Sequence, residues 1–123
     1  IVARRDDAIR IIDRAIKRDK NNIQNIKEKA LIYDACGEFE LSAQQYREAI
    51  QKAFDKDNYN LLLVKELYKI VKKSPKGSAE TKRSYEEIMT IAQSTQSLDC
   101  KKEINDIADE VFKYTKGDIV SEG

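Results

Sequence analysis

The sequence predicts an all-α chain of about six helices, and three observations carry that reading. Apolar residues return at i, i+3, i+4 and i+7 along most of the chain, the spacing of amphipathic helices. Breakers are few, with one Pro and four Gly in 123 residues. No segment alternates at period two for long enough to require a strand. With 41% apolar residues, a chain of this length hides about two-thirds of its unfolded surface on folding, which suits one modest core and not two independent domains.

Residues 4–18 place Ala8, Ile9, Ile12, Ala15 and Ile16 on one stripe, until Lys20, Asn21 and Asn22 interrupt it. A second helix is expected over 23–36, with Ile23, Ile26, Ala30 and Tyr33 inward and Gly37 as its stop. The pattern resumes at once: Phe39, Ser42, Ala43, Tyr46, Ala49, Ile50 and Ala53 mark a third helix ending near Phe54. So short a turn predicts an antiparallel pair. Asp55, Asp57 and Asn58 carry side chains able to cap a fourth helix. Its stripe of Leu63, Val64, Leu67, Ile70 and Val71 is widened by Leu61, Leu62 and Tyr68, as for an element packed on two sides. Pro75 and Gly77 break the chain over 73–78. Ser78 and Ser97 are expected to cap the last two helices, over 79–94 and on to about Lys116. The fifth helix turns Tyr85, Ile88, Met89 and Ala92 inward, and the sixth buries Leu98, Ile104, Ile107, Ala108, Val111 and Phe112. Gly117 ends the series, and residues 118–123 are expected to form a loose, flexible tail. The expected core includes Ile12, Ala30, Tyr33, Tyr46, Ala49, Leu67 and Ile107.

Internal similarity runs at a period of 34 residues: Ala15-Ile16 recurs as Ala49-Ile50, Ala8-Ile9 aligns with Ser42-Ala43, and Ile12 with Tyr46. Between residues 23 and 56, Ala30, Tyr33, Gly37, Phe39, Ser42, Tyr46 and Ala49 follow one another across a helix pair. This segment resembles the tetratricopeptide repeat family, whose consensus of Ala, Tyr, Gly, aromatic, small, aromatic and Ala these residues match. Residues 4–22 look like a partial preceding repeat, 57–95 like a degenerate one, and 98–116 like a terminal helix. Two positions depart from the family pattern: Lys29 stands where the consensus has a large apolar residue, and Phe54 where it has Pro.

The resemblance implies antiparallel helix pairs stacked as a short right-handed superhelix, a single domain over 1–117, and a concave surface lined by the first helix of each pair. On that geometry the lining is Gln24, Lys27, Leu31 and Asp34 from one pair and Asn58, Leu61, Lys65 and Tyr68 from the next. Such a mixture of amides, charges and apolar anchors suits capture of a protein, peptide or partner helix. The expected function is a non-enzymatic scaffold or adaptor that needs no cofactor. Some members of the family clamp the C-terminal carboxylate of chaperones with Lys, Asn and Arg. Of the matching positions here, occupied by Lys27, Glu28, Leu31, Asn58 and Leu62, only Lys27 fits, so that partner is disfavoured.

Composition excludes further chemistries. There is no His, which removes the usual general base, the commonest zinc ligand and every Ser-His or Cys-His nucleophile. Asp6-Asp7, Glu86-Glu87 and Asp109-Glu110 are neighbours in sequence whose side chains diverge by about 100° on a helix, and they read as polar faces. Glu103, Asp106 and Glu110 share a face but read as solvated, so no metal site is expected. Cys36 and Cys100 form no CxxC pair and suit a reducing, cytoplasmic setting. The longest strongly apolar run, Leu61 to Val64, is far short of the roughly 20 residues of a membrane span. A chain that starts at Ile1 and is charged and periodic by Arg4 reads as a segment of something longer. An N-terminal helix without its partner then offers Ile9, Ile12 or Ile16 for self-association into a homo-oligomer.

Charge supplies the rival reading. Lys plus Arg (23) balance Asp plus Glu (22) over the chain, which disfavours a dedicated nucleic-acid binder. Locally, however, Lys65, Lys69, Lys72, Lys73, Lys76, Lys82 and Arg83 face only Glu66 and Glu80, a net +5 over 65–83. This basic region could serve nucleic acid, although, Tyr68 apart, aromatics are not interleaved with it in the sequence. A further alternative is a structural helical segment of a larger assembly.

Overall fold

The computed structural model describes residues 2–117 and contains six α-helices: α1 (Val2–Arg18), α2 (Ile23–Ala35), α3 (Phe39–Lys52), α4 (Asp57–Lys73), α5 (Ala79–Ser94) and α6 (Leu98–Tyr114). No strand occurs among the described residues. Each expected helix is present, with ends that differ by one or two residues. The tail expected over 118–123 lies outside the described residues.

Contacts between helices sort them into two layers. Arg5 of α1 makes a two-pronged bond to Glu38, the residue before α3 (2.7 and 2.8 Å), and Lys52 at the end of α3 donates to the Lys20 carbonyl just past α1 (2.9 Å). Starts meet starts and ends meet ends, so α1 and α3 run parallel. Arg47 of α3 grips Glu87 of α5 in the same bidentate way (2.8 and 2.9 Å). In the other layer Asp34 of α2 accepts from Lys69 of α4 (2.6 Å). Asp57 of α4 accepts the backbone N–H groups of Gln96 (3.0 Å) and Ser97 (2.7 Å) at the entry to α6. Helices α1, α3 and α5 therefore form one layer and α2, α4 and α6 the other, with successive helices antiparallel.

Small side chains permit the closest approach. Ala30 of α2 and Ala43 and Ala49 of α3 are fully buried, and Ser42 donates to the Ala30 carbonyl (2.9 Å), so the two backbones pack with little between them. Tyr46, also buried, fills the space beside them. The widened apolar face of α4 serves α3, α5 and α6 together. Its Leu63, Val64, Leu67 and Val71 share one core with Ile88, Ile104 and Val111.

Four expectations change. Ile12 and Ile107 are only partly buried, because α1 packs chiefly on α2 and α6 has no helix beyond it among the described residues. Leu98 is 81% exposed, and Phe112 stays exposed although its ring lies 5.4 Å from that of Tyr85 of α5. Lys29, out of place in the family pattern, bonds Asp13 of α1 (2.8 Å) with its ammonium 6.0 Å from the Tyr33 ring centroid. Of the polar residues expected to start α4, only Asp55 does so, accepting from the Asp57 N–H (3.2 Å); Asp57 itself holds α6.

Two glycines differ in what constrains them. Gly37 (φ +75°) ends α2 in a Schellman turn: the Glu38 N–H reaches the Tyr33 carbonyl (2.9 Å) and the Gly37 N–H the Asp34 carbonyl (3.0 Å). A Cβ there would meet nothing closer than Lys73 Nζ at 3.9 Å. At Gly77 (φ +76°) the N–H bonds the Tyr114 carbonyl (2.8 Å), and a Cβ would lie 3.0 Å from Gly117 Cα. Gly37→Ala is expected to cost about 1 kcal/mol through backbone strain alone, and Gly77→Ala at least about 1 kcal/mol more because backbone must also move. Urea melts of both variants check the order; equal losses would mean that the 77–117 contact is not held in solution. In the same assay Ala49→Leu is expected to cost about 1–3 kcal/mol by overpacking a fully buried site.

Candidate binding surface

The eight residues expected to line a surface form two matched stripes. Gln24, Lys27, Leu31 and Asp34 of α2 stand 34 positions before Asn58, Leu61, Lys65 and Tyr68 of α4, and steps of three, four and three keep each set on one helix face. Gln24 and Asn58 are exposed near the helix starts, and Lys27 is half-buried. Leu31 is 46% exposed, a large apolar side chain left to solvent. Leu61 packs at the edge of the core.

The other ends of the stripes are drawn together. Asp34 bonds Lys69, the residue after Tyr68, across the α2–α4 contact. Lys65 lies 3.6 Å from Glu103 of α6, and Tyr68 meets Tyr114 of α6 edge-on with ring centroids 6.4 Å apart. Asp34, Lys65 and Tyr68 are thus joined into the α2–α4–α6 layer.

The sequence reading missed the group beneath this surface. Glu66 is 4% exposed, and its Oε1 has no hydrogen-bond donor, while Oε2 lies 3.4 Å from Lys69 Nζ. Burial, followed by the neighbouring Asp34 carboxylate, pushes the Glu66 carboxyl up to about 7. Burial also pushes Asp34 upward, but hydrogen bonds from Lys69 and Glu66 outweigh it and hold Asp34 below its ordinary value. The two neighbouring carboxyls thus shift in opposite directions, Glu66 upward and Asp34 downward, because only one of them is held by a close lysine bond. Tyr46, packed below, has its phenol pushed up to about 12 by burial and then by Glu66 and Asp34. A signal was present in the sequence: Glu66 falls three residues after Leu63 and four before Ile70, inside the apolar stripe of α4.

The basic 65–83 region is compensated in part by carboxylates from other helices. Lys65, Lys69 and Arg83 pair with Glu103, Asp34 and Glu80. Aromatic rings absent from the local sequence arrive from elsewhere: Lys73 lies 4.9 Å from the Phe39 ring centroid, and Lys76 5.9 Å from that of Tyr114. Lys72 stands 4.4 Å over Tyr68 from its own helix, and Lys116 caps Phe112 at the same distance. A separate cleft of about 330 Å³ opens where the start of α3, the end of α4 and the start of α5 meet, with Phe39, Leu41 and Ile70 on its apolar side. No group of three or more potential metal ligands occurs among the described residues, and Glu103, Asp106 and Glu110 of α6 pair with Lys65, Lys102 and Lys113. No described helix is long and apolar enough to cross a membrane.

The buried carboxyl makes stability depend on pH with a definite sign. Because folding raises Glu66 above its ordinary 4.5, its contribution is complete below about pH 4.5 and is lost as pH rises through about 7. Asp34 acts in the opposite sense, its contribution being lost only on acidification below its ordinary 3.8. Glu66→Gln, whose amide can still donate to Asp34 and accept from Lys69, is expected to match the parent at pH 5 and to exceed it by about 2 kcal/mol at pH 8. Denaturant melts at both values check this, and an unchanged difference between pH 5 and pH 8 would show that Glu66 is ionised throughout.

No protein-family model, curated protein or solved structure matches this chain.

Proposed function

We propose that the chain is a non-enzymatic interaction module of the tetratricopeptide kind, a scaffold or adaptor that accepts a peptide or partner helix along the α2–α4–α6 layer. The observation that carries this reading is Leu31, an exposed apolar side chain one turn before the Asp34–Lys69 bond, with Lys65 and Tyr68 on the adjoining helix of the same layer. An apolar anchor flanked by charges fits peptide capture, in which the anchor supplies affinity and the charges supply register. Its two cysteines, Cys36 and Cys100, are unpaired, which supports a reducing compartment such as the cytoplasm.

The test is a titration of a partner recovered with the intact protein against wild type, Leu31→Ala and Lys65→Ala, with thermal melts in parallel. Retained folding with at least about tenfold weaker affinity, about 1.4 kcal/mol, is the expected outcome. Unchanged affinity for both variants would remove the surface from consideration.

A second reading is favoured by the lysine–aromatic contacts of Lys72 with Tyr68 and Lys116 with Phe112, a pairing that also suits single-stranded nucleic acid. Affinity for an oligonucleotide that falls steeply with salt and is lost in Lys72→Glu would favour it over peptide capture.

A further inference from the structure

The layer of α1, α3 and α5 carries a different feature. Helices α1 and α3 run side by side and are tied at their starts by Arg5–Glu38 and at their ends by Lys52 and the Lys20 carbonyl, yet α1 packs its length on α2. The space left along the later turns of α1 is a cleft of about 620 Å³, with Ile16 as its apolar lining residue. Five cations surround it: Arg10, Arg14, Lys17 and Lys20 from the α1 side and Lys52 from α3.

Their charge is poorly matched. Asp13, the carboxylate in the lining, is taken by Lys29 (2.8 Å), and Arg10 is paired with Asp7 (2.5 Å). Arg14, Lys17 and Lys20 have no carboxylate within ion-pair distance among the described residues. Lys52 donates to a neutral carbonyl, which leaves its charge uncompensated. The negative end of the α1 dipole accounts for cations in its last turn, but neither for Arg10 and Arg14 further back nor for Lys52 reaching in from another helix.

We propose that this cleft binds a small polyanion carrying two or more phosphate groups. Its volume lies within the range of small-molecule sites, guanidinium groups match phosphate oxygens in pairs, and Ile16 offers an apolar contact for an organic portion. No aromatic ring lines the cleft on which a base could stack, which favours a compact phosphate ligand over a nucleic-acid strand. The proposal is independent of peptide capture, since none of these residues belongs to the α2–α4–α6 stripes.

The experiment is calorimetric titration of the full chain with inorganic tripolyphosphate, with ATP and with a single-stranded oligonucleotide at low salt. Saturable one-to-one binding of tripolyphosphate or ATP is expected, weakened at least about tenfold by Arg14→Glu and by Lys17→Glu and changed less than about twofold by Lys72→Glu on the opposite layer. All of these side chains are exposed, and circular dichroism melts confirm that each variant folds; Arg14→Gln and Lys17→Gln repeat the measurement with the charge removed instead of reversed. Equal affinity for the two phosphate ligands assigns the cleft to the phosphate chain, and tighter ATP binding adds the contact with Ile16; both support the proposal. No saturable binding of either at millimolar concentration, equal weakening by Lys72→Glu, or binding of the oligonucleotide alone would overturn it.

Discussion

Three alanines set the distances on which the rest of the molecule depends. Ala30 of α2 and Ala43 and Ala49 of α3 are fully buried, and a larger side chain at any of them would push a neighbouring backbone away. That close approach leaves Tyr46 as the filler and brings α4 against the same pair, with Leu63, Val64 and Leu67 completing the core. Once α4 is fixed, α5 and α6 pack on it and on each other.

The buried carboxyl of Glu66 is a consequence of the same geometry. Its position on α4 points it between helices that the alanines have drawn together, close to Asp34 and above Tyr46. Burial, with no donor for one oxygen, disfavours the ionised form there and raises the Glu66 carboxyl to about 7. Lys69 limits that cost by bonding Asp34, which allows one carboxylate of the pair to remain charged.

The two layers divide the surface unequally. On the α2–α4–α6 side, Lys65 and Lys69 are matched across helices and Tyr68 lies beneath Lys72, while Leu31, Leu98 and Phe112 stay exposed. Toward α1 and α3 the balance fails, and Arg14, Lys17 and Lys20 gather around a concavity without carboxylate partners among the described residues. The near-neutral total of 23 basic and 22 acidic residues conceals this difference, because a sum over the chain has no spatial content.

Local pattern was enough to determine the six helices, their breaks at Asn22, Gly37 and the 73–78 loop, and the capping roles of Ser78 and Ser97. These depend on backbone preferences and on hydrogen bonds between residues near in sequence. The same periodicity kept Ala30, Tyr46, Ala49 and Leu67 inside, but it could not tell that Ile12, Leu98 and Phe112, on the first and last helices, are left partly or largely exposed. Of the eight candidate surface residues, their helix faces were legible, whereas the ion pairs of Asp34 with Lys69 and of Lys65 with Glu103 were not. Asp57 likewise looked like a cap for its own helix and instead holds the start of α6. Tertiary structure decided these points for one reason: partners 35 to 40 residues apart meet only after side-chain volumes have set the spacing of the helices.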